Sequence, residues 1–259
     1  MFNIGDKARR NVLVSSDHGL LIVNRFDYAP IGISGSILDH GNNNTVEADA
    51  TMKALRGVDS PIIFDVGANL GTYASWVAKW FEPVNGKVYC FEPQRIIFQM
   101  LCGNMAINNI FNVYAYELAL GSEEKYIEID EVNYDEPGGF GSFSLDGVER
   151  EKYKTILGKK QRIKLTTIDK FVEENQIPKI DFIKIDAEGL DIDVIAGAPS
   201  SIEKFKPDLY VEYLNLGSSK KEDTLLEGKQ YLVSVLNTMG YETFEIGHDI
   251  FGTAKGHRI

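Results

Sequence analysis

The stretch from Ile62 to Gly71 constrains the fold most, because a short apolar run ends there in a glycine turn. Its sequence is IIFDVGANLG. The run after Pro61 is rich in β-branched and aromatic residues and too short for a helix, so we predict a buried strand. Thr72–Phe81 has helix-compatible spacing. Strand, glycine turn and helix in succession predict a site where backbone N–H groups and a helix dipole face a small ligand.

The same succession of strand and helix recurs along the chain, which predicts an α/β fold. Further strands are predicted at Gly86–Phe91, Val113–Tyr116, Asp181–Asp186 and Leu209–Tyr213. This alternation is typical of βαβ units, which build a mostly parallel sheet with helices on both faces. Residues 121–165 interrupt it with two strand-like runs, Lys125–Ile129 and Gln161–Leu165, and a glycine-rich stretch. We predict a β-hairpin and loop insertion there.

We expect one large domain preceded by a short extension. The 259 residues are 44% hydrophobic and 25% charged, which suffices for one large core. Residues 1–57 are too few for an independent domain, and we interpret them as an N-terminal extension or lid on a main domain at residues 58–259. Within the extension, Leu20–Val23 and Ile31–Ile33 are predicted strands, and Glu47–Leu55 is a predicted helix.

Composition argues against several classes of function. The formal net charge is −11, which disfavours binding along a nucleic-acid backbone. The two cysteines, Cys90 and Cys102, fall in predicted regular elements, so we expect a reducing compartment and no disulfide. No stretch approaches the ~18 apolar residues of a membrane span, and residues 1–10 lack the apolar core of a signal peptide. We therefore expect a cytoplasmic protein without nucleic-acid or membrane partners.

Two cofactors compete for the glycine turn, a dinucleotide and S-adenosylmethionine. The dinucleotide fingerprint G-x-G-x-x-G needs its second glycine so that a pyrophosphate can approach the backbone. In the turn from Gly67 to Gly71, Asn69 stands in that place, and its side chain would crowd a pyrophosphate. For S-adenosylmethionine, Asp65 can face the ammonium, and N–H groups at the helix start, with Thr72, can receive the carboxylate.

Acidic residues at the ends of the next two strands support a nucleoside cofactor. Glu92, followed by Pro93, ends the second strand, where a carboxylate can accept hydrogen bonds from both ribose hydroxyls. Glu117, at the end of the third strand, would lie near the adenine. Glu92 alone fits NAD equally well, so the preference for S-adenosylmethionine depends on its combination with Asn69.

A set of short motifs occurs in order through most of the chain. Its members are Phe64–Tyr73, Phe91–Pro93, Asn104 and Asn108, Ala119–Gly121, Leu165–Asp169, Asp181–Gly189 and Gly197–Ala198. The set resembles the FkbM family of S-adenosylmethionine-dependent methyltransferases over roughly residues 60–215. The resemblance implies a class I, Rossmann-like methyltransferase sheet and, for most members, O-methylation of a sugar or polyketide hydroxyl. This chain departs from the family at Asp191, where a glutamate is frequent.

Methyl transfer to a hydroxyl is an in-line displacement that requires aligned reacting atoms and removal of a proton. Asp186, which also borders the cofactor, is the first candidate for the base or the substrate-orienting group, and Glu188 is the second. Lys184 shares a strand face with Asp186, so it can hold Asp186 in place or bind the substrate oxygen. A magnesium-dependent variant would use Asp186, Glu188 and Asp191. No ligand spacing demands that variant, and we predict no metal.

The sequence therefore predicts an S-adenosylmethionine-dependent O-methyltransferase that acts on a hydroxyl of a sugar, glycan or glycosylated metabolite. Phe140–Leu145 and Gly32–Gly41 are expected to cover the substrate. One alternative is an N- or C-methyltransferase on the same scaffold. The fourth strand lacks the Asn/Asp-Pro-Pro-aromatic motif of adenine N-methylation, which disfavours that particular reaction. The other alternative is a non-catalytic nucleoside-binding module.

Overall fold

The computed structural model describes residues 10–27, 32–43, 45–141, 156–212, 222–247 and 249–254. The strands are β1 Asn11–Ser16, β2 Gly19–Asn24, β3 Ile62–Val66, β4 Lys87–Phe91, β5 Val113–Tyr116, β6 Ala119–Leu120, β7 Lys125–Val132, β8 Ile156–Thr166, β9 Phe182–Ile185, β10 Asp208–Val211, β11 Tyr241–Ile246 and β12 Asp249–Ala254. The helices are α1 Ile33–His40, α2 Thr45–Ala54, α3 Thr72–Phe81, α4 Arg95–Ile107, α5 Ile168–Glu174, α6 Asp191–Ala196, α7 Pro199–Phe205 and α8 Glu222–Thr238.

The main sheet contains seven of the described strands in the order β11-β12-β10-β9-β3-β4-β5. The five from β10 to β5 run parallel, whereas β12 is antiparallel to both of its neighbours. The predicted mostly parallel α/β sheet is confirmed. Chain order proceeds from β3 through β4 to β5 in one direction and from β9 to β10 in the other. The carboxyl ends of these two strands therefore flank a topological switch point, where open α/β sheets bind ligands.

Helices cover both faces of this sheet, because alternate strand residues point to opposite sides. On one face Phe64 and Ile183 are buried in a cluster with side chains of α5 to α8. On the other face Ile63 and Phe182 pack with side chains of α2, α3 and α4. Burying each such large apolar side chain contributes roughly 1.5–3 kcal/mol relative to exposure. The two clusters fix the sheet and leave its polar strand ends at one edge.

The interruption in the α/β alternation forms a second, three-stranded sheet of order β6-β8-β7. β7 and β8 are antiparallel, which confirms the predicted hairpin insertion. The insertion packs against the N-terminal segment, since Leu21 and Val23 share a buried cluster with Ile163, Leu70 and Ile97. The N-terminal segment thus meets the insertion, the first residues of α4 and the glycine turn.

Asparagines on α4 fasten the β1–β2 hairpin to the glycine turn. The amide of Asn104 accepts the N–H of Ile22 at 2.6 Å and donates to the carbonyl of Leu70 at 2.9 Å. Asn108 accepts the N–H of Leu20 at 3.0 Å. These side chains imitate the backbone pairing of a neighbouring strand. The extension is therefore joined directly to the predicted cofactor turn.

The structure differs from the sequence prediction at two places in the extension. Ile33, expected in a strand, begins helix α1, while Ile31 lies outside the described residues. The cause lies seven residues earlier: the carboxylate of Asp27 accepts the N–H of Ser34 at 3.0 Å, and its backbone carbonyl accepts the N–H of Gly35 at 2.9 Å. These bonds satisfy N–H groups at the helix start. Strand β1 was not predicted.

Candidate active site

A row of polar side chains crosses the centre of the main sheet beneath α2 and α3. Asp65 on β3 pairs in register with Cys90 on one side and with Lys184 on the other. Lys184 in turn pairs with Tyr210 on β10. Asp65 is fully buried, and Lys184 is 3% exposed. A charged pair in the middle of an otherwise apolar sheet is costly unless each charge has partners, so its contacts decide its role.

Three oxygens surround the ammonium of Lys184. Its Nζ lies 3.2 Å from Oδ2 of Asp186, 3.2 Å from the carbonyl oxygen of Gly67 and 3.4 Å from Oδ1 of Asp65. Burial alone would lower the pKa of Lys184, but the carboxylates of Asp186 and Asp65 raise it well above its ordinary value. Lys184 is therefore a permanent cation that joins the ends of β3 and β9.

Asp65 is the fully buried partner of Lys184. Burial raises its pKa, and the charge of Lys184 opposes that shift. Its Oδ2 receives a weak hydrogen bond from the thiol of Cys90 at 3.9 Å. Within the described residues its Oδ1 accepts no hydrogen bond and meets Lys184 only as an ion pair. Asp65 thus keeps acceptor capacity, while its contact with the cofactor's ammonium stays a prediction.

The glycine turn brings the ends of β3 and β9 together. Gly67 has φ +76°, and a Cβ there would overlap the carbonyl oxygen of Asp186, so only glycine fits. Gly71 has φ +81°, and its Cβ would press on Leu101 and Met105 of α4. Asn69, at φ +47°, is a residue type that tolerates this left-handed conformation. The tight approach places Asp186 directly beside the turn.

The N–H groups of this turn are engaged within the protein. Those of Gly67 and Ala68 both donate to the carbonyl of Phe91 at 3.0 Å, and that of Gly71 donates to Ala68 at 2.9 Å. The N–H of Leu70 donates to the side chain of Asn69 at 2.8 Å. The N–H groups predicted to receive the cofactor's carboxylate belong to the start of α3, which follows this turn. Thr72, the first residue of α3, is buried there at 1% exposure.

Glu92 follows β4 and faces the same turn. Its Oε2 accepts the N–H of Asn69 at 3.1 Å, and its Oε1 accepts the N–H of Gln94 at 2.8 Å, with Pro93 between them. Glu92 is 3% exposed. Burial raises its pKa to about 7, although both backbone N–H groups act in the opposite direction. The structure therefore brings Asn69 and Glu92, the two residues behind the cofactor prediction, into direct contact. Glu117 is exposed beyond the neighbouring strand β5.

A buried hydrogen-bond chain covers Glu92. The side-chain amide of Gln94 donates to the carbonyl of Phe140 at 3.0 Å and accepts from the hydroxyl of Tyr134 at 3.2 Å. The N–H of Phe140 donates to Oδ1 of Asp27 at 2.9 Å. Of the predicted cover Phe140–Leu145, residues 142–145 lie outside the described residues. The described part of that cover is held by Asp27 of the N-terminal segment.

Further carboxyl groups lie in the turn after β9. Glu188 has φ +48°, and its pKa is raised well above its ordinary value by burial and by the neighbouring Asp186 and Asp191. Asp191 accepts the N–H groups of Ala187 at 2.8 Å and Gly189 at 3.3 Å, and burial raises its pKa to about 6. In the part of the chain that the structure describes, no group of three His, Cys, Asp or Glu side chains is arranged to hold a metal ion.

Glu212 is a site residue that the sequence analysis missed. It follows β10, and its N–H donates to the carbonyl of Ile185 at 2.8 Å, which places it beside Asp186. Burial, followed by the charge of Asp186, raises the pKa of its carboxyl group to about 10. The signal was present in the sequence, because Glu212 is another acidic residue directly after a buried strand.

Comparison with known protein families identifies the chain. The family model of the methyltransferase FkbM domain matches residues 65–242, which is more than half of the sequence. The chain belongs to the FkbM methyltransferase family. It is 22% identical over 189 residues to "Methyltransferase 1" of Beauveria bassiana, covering 68% of this chain and 74% of that protein. It is 24% identical over 190 residues to the hexuronic acid methyltransferase AglP of Haloferax volcanii, covering 73% and 71%.

Solved structures show the same fold. An FkbM methyltransferase from Methylobacillus flagellatus aligns with a TM-score of 0.50 at 18% identity, over 75% of this chain but only 44% of that one. A putative caffeoyl-CoA O-methyltransferase from Staphylococcus aureus aligns with a TM-score of 0.50 at 11% identity, over 82% and 85%. The predicted class I, Rossmann-like methyltransferase fold is therefore confirmed.

The protein is thus a methyltransferase, and its family implies S-adenosylmethionine as the methyl donor. The donor set fits that molecule. Asp65 Oδ1 retains acceptor capacity, and Glu92 places a carboxylate at the end of the strand next to the glycine turn. No helix among the described residues is long and apolar enough to cross a membrane.

Proposed function

We propose that this FkbM-family protein is an S-adenosylmethionine-dependent O-methyltransferase whose acceptor is a hydroxyl of a sugar, glycan or glycosylated metabolite. The observation that carries the proposal is the contact between the glycine turn and the Lys184–Asp186 pair at the switch point. In this contact a carboxylate and a cation lie beside the glycine turn, which supports a methyl-donor site at the turn with an acid–base group next to it. The relative named as a hexuronic acid methyltransferase supports a carbohydrate acceptor.

The donor would be held by residues from three strand ends. We assign the ribose hydroxyls to Glu92, next to Pro93, and the adenine side to Glu117. Asp65 would face the ammonium, while Thr72 and the start of α3 would face the carboxylate. Gly67, Asn69 and Gly71 shape the turn that admits the donor, because two of them have positive φ where a Cβ would clash. These assignments follow the chemistry of each group.

The proposed reaction needs one proton acceptor and one orienting group. Bound S-adenosylmethionine supplies an electrophilic methyl group on a sulfonium. The new bond forms between acceptor oxygen and methyl carbon, and the carbon–sulfur electron pair stays on sulfur. Asp186 takes the hydroxyl proton, which later passes to water. Lys184, whose ammonium lies 3.2 Å from Oδ2 of Asp186, holds that carboxylate in place, and Glu188, whose pKa is raised by burial, lies in the turn that follows.

A methyl-transfer screen tests the acceptor. Purified protein is incubated with S-adenosylmethionine labelled in the methyl group and with sugar nucleotides, uronic acids, glycans, amines and nucleosides. Label in an alkali-stable ether of a sugar hydroxyl supports the proposal, whereas label in an ester points to a sugar carboxylate. Exclusive methylation of nitrogen or carbon overturns the assignment to a hydroxyl.

Calorimetric titration separates an enzyme from a binding module. S-adenosylmethionine, S-adenosylhomocysteine and NAD are titrated separately. Binding of the first two without NAD supports the proposed donor site, and binding of NAD alone overturns it. Donor binding without transfer to any acceptor favours a non-catalytic module. We expect transfer to survive chelator treatment, and a loss that magnesium restores would contradict the metal-free mechanism.

A further inference from the structure

Glu212 and Asp186 are neighbours because of sheet register. Val211 pairs with Ile185 in the parallel ladder between β10 and β9, so the next residue of each strand reaches the same edge. The N–H of Glu212 donates to the carbonyl of Ile185 at 2.8 Å. This pairing places Glu212 and Asp186 side by side at the edge of the sheet. Two ionised carboxylates in such a position repel each other, and a hydrogen bond between them requires a proton on one of the two groups.

The surroundings decide which carboxyl group keeps that proton. Asp186 already has the cation, because its Oδ2 lies 3.2 Å from Nζ of Lys184. Burial opposes ionisation of Glu212. The charged and titratable groups that face the pair are Lys184 and Asp65 on the central strands, Tyr210 on β10, Asp249 on β12, Glu92 after β4, Glu188 and Asp191 after β9, and Glu47 on α2. Most of them are acidic, which further disfavours a second negative charge on Glu212.

We propose that Glu212 is a positioning residue that stays protonated and donates a hydrogen bond to the Asp186 carboxylate, holding it between Lys184 and the methyl acceptor. This inference rests on the proposed function. Asp186 is then held by a cation on one side and by a neutral acid on the other. The proton that the reaction removes goes to Asp186, and Glu212 keeps its own. Ionisation of Glu212 at high pH would remove the donor and add a charge that repels Asp186.

Two substitutions of Glu212 test this role, because one keeps the size of the side chain without its ionisable group and the other removes both. Glutamine keeps the length of Glu212 and can donate to Asp186 without being ionised, whereas alanine removes the donor. We expect Glu212→Ala to lower kcat by about 10–100-fold, the loss expected for one hydrogen bond to a charged group. We expect Glu212→Gln to recover most of that loss. The affinity for S-adenosylhomocysteine should change little in either variant, since the donor lies on the β3–β4 side. The exposed Glu203→Gln on α7 is the matched control.

Two pH experiments complete the test. In the transfer assay, wild type should lose kcat at alkaline pH as Glu212 ionises, and Glu212→Gln should lack that limb. In thermal unfolding without any acceptor, wild type should lose stability relative to Glu212→Gln as pH rises from 7 toward about 10, because the folded protein holds the proton more tightly than the unfolded chain. This second readout remains valid if no methyl acceptor is found.

Three outcomes overturn the inference. A Gln variant as impaired as the Ala variant would mean that Glu212 acts as an ionised group. Full activity in both variants would mean that it does not position Asp186. A constant stability difference between wild type and Glu212→Gln across the pH range would mean that Glu212 does not retain its proton.

Discussion

The two halves of the site stabilise a buried carboxyl group in different ways. On the donor half, Glu92 is held by two backbone N–H groups, and its pKa rises to about 7. On the proposed acceptor half, Asp186 is paired with the ammonium of Lys184 and lies beside Glu212. Neutral donors leave Glu92 free to change protonation near neutral pH. A buried cation instead fixes charge beside the proposed methyl acceptor.

The different surroundings of Glu92 and Asp186 match their two proposed tasks, ribose binding and proton removal. The two ribose hydroxyls are neutral. A carboxyl group that accepts their hydrogen bonds therefore needs a fixed position and a desolvated site more than a fixed counter-ion. Proton removal from a hydroxyl develops charge, and preorganised charges in a site with little water act strongly on it. We therefore expect substitutions on the acceptor half to change turnover and those on the donor half to change donor binding.

The largest effect is expected from Asp186→Asn. Loss of the proton acceptor should lower kcat by about 10²–10⁴-fold, the usual contribution of a positioned acid or base. Affinity for S-adenosylhomocysteine should remain close to that of wild type, and the exposed Glu203→Gln should match wild type in both measurements. Single-turnover transfer and calorimetric titration check the two quantities. A variant that retains its rate would remove Asp186 as the base.

Lys184→Met should affect both halves of the site at once, because Lys184 contacts residues of both. Its loss leaves Asp65 and Asp186 without their cation, and breaking a buried pair in this way costs about 3–5 kcal/mol. We expect that loss of stability in urea unfolding, together with weaker donor binding and slower transfer. The double variant Lys184→Met/Asp65→Asn should recover part of the stability and none of the transfer. An unchanged unfolding free energy in the single variant would contradict the pairing.

The sequence predicted the spatial arrangement of the proposed donor half because its residues are local in sequence. Strand β3, the turn from Gly67 to Gly71 and the start of α3 are contiguous, and Glu92 follows the next strand along the chain. Strand and turn chemistry therefore sufficed to bring Asn69 and Glu92 into one hypothesis. The period of two residues also predicted correctly that Lys184 and Asp186 meet.

The remaining features depend on contacts between residues far apart in sequence. Glu212 meets Asp186 only through the pairing of β9 with β10. Helix α1 begins at Ile33, where a strand was expected, because Asp27 satisfies its first N–H groups while also binding Phe140, 113 residues away. The residue types around Ile33 do not reveal that Asp27 also binds the distant Phe140. Local propensity failed where tertiary hydrogen bonds decided the backbone conformation.

Glu92→Gln should weaken donor binding and leave the rate of methyl transfer unchanged. A hydrogen bond to a charged acceptor contributes about 1.5–3 kcal/mol, so the dissociation constant of S-adenosylhomocysteine should rise by roughly 10–100-fold at pH 8. In wild type the ionised carboxylate is the better acceptor for the ribose hydroxyls. Donor affinity should therefore fall as pH is lowered through about 7, and the variant should lack this dependence.

The same pKa has a consequence for the donor-free protein. The folded pKa of Glu92, about 7, lies above its ordinary value of 4.5, so the folded state holds this proton more tightly. Its stabilising contribution is full below pH 4.5 and is lost as pH rises through about 7, amounting to roughly 3 kcal/mol. Relative to Glu92→Gln, wild type should become less stable over that window. A difference that does not change with pH would contradict a raised pKa.

The smallest effect is expected from Asp27→Asn, which reaches the donor half through the cover. The two oxygens of Asp27 accept the N–H groups of Phe140 and Ser34 at 2.9 and 3.0 Å. Asparagine offers only one oxygen, so one buried N–H loses its partner, at a cost of about 1–3 kcal/mol in unfolding free energy. Because Phe140 accepts from Gln94 beside Glu92, donor binding should weaken, but less than in Glu92→Gln. The exposed Asp17→Asn is the control in the same segment. A fall in kcat with unchanged donor affinity would place the influence of this cover on the acceptor half instead.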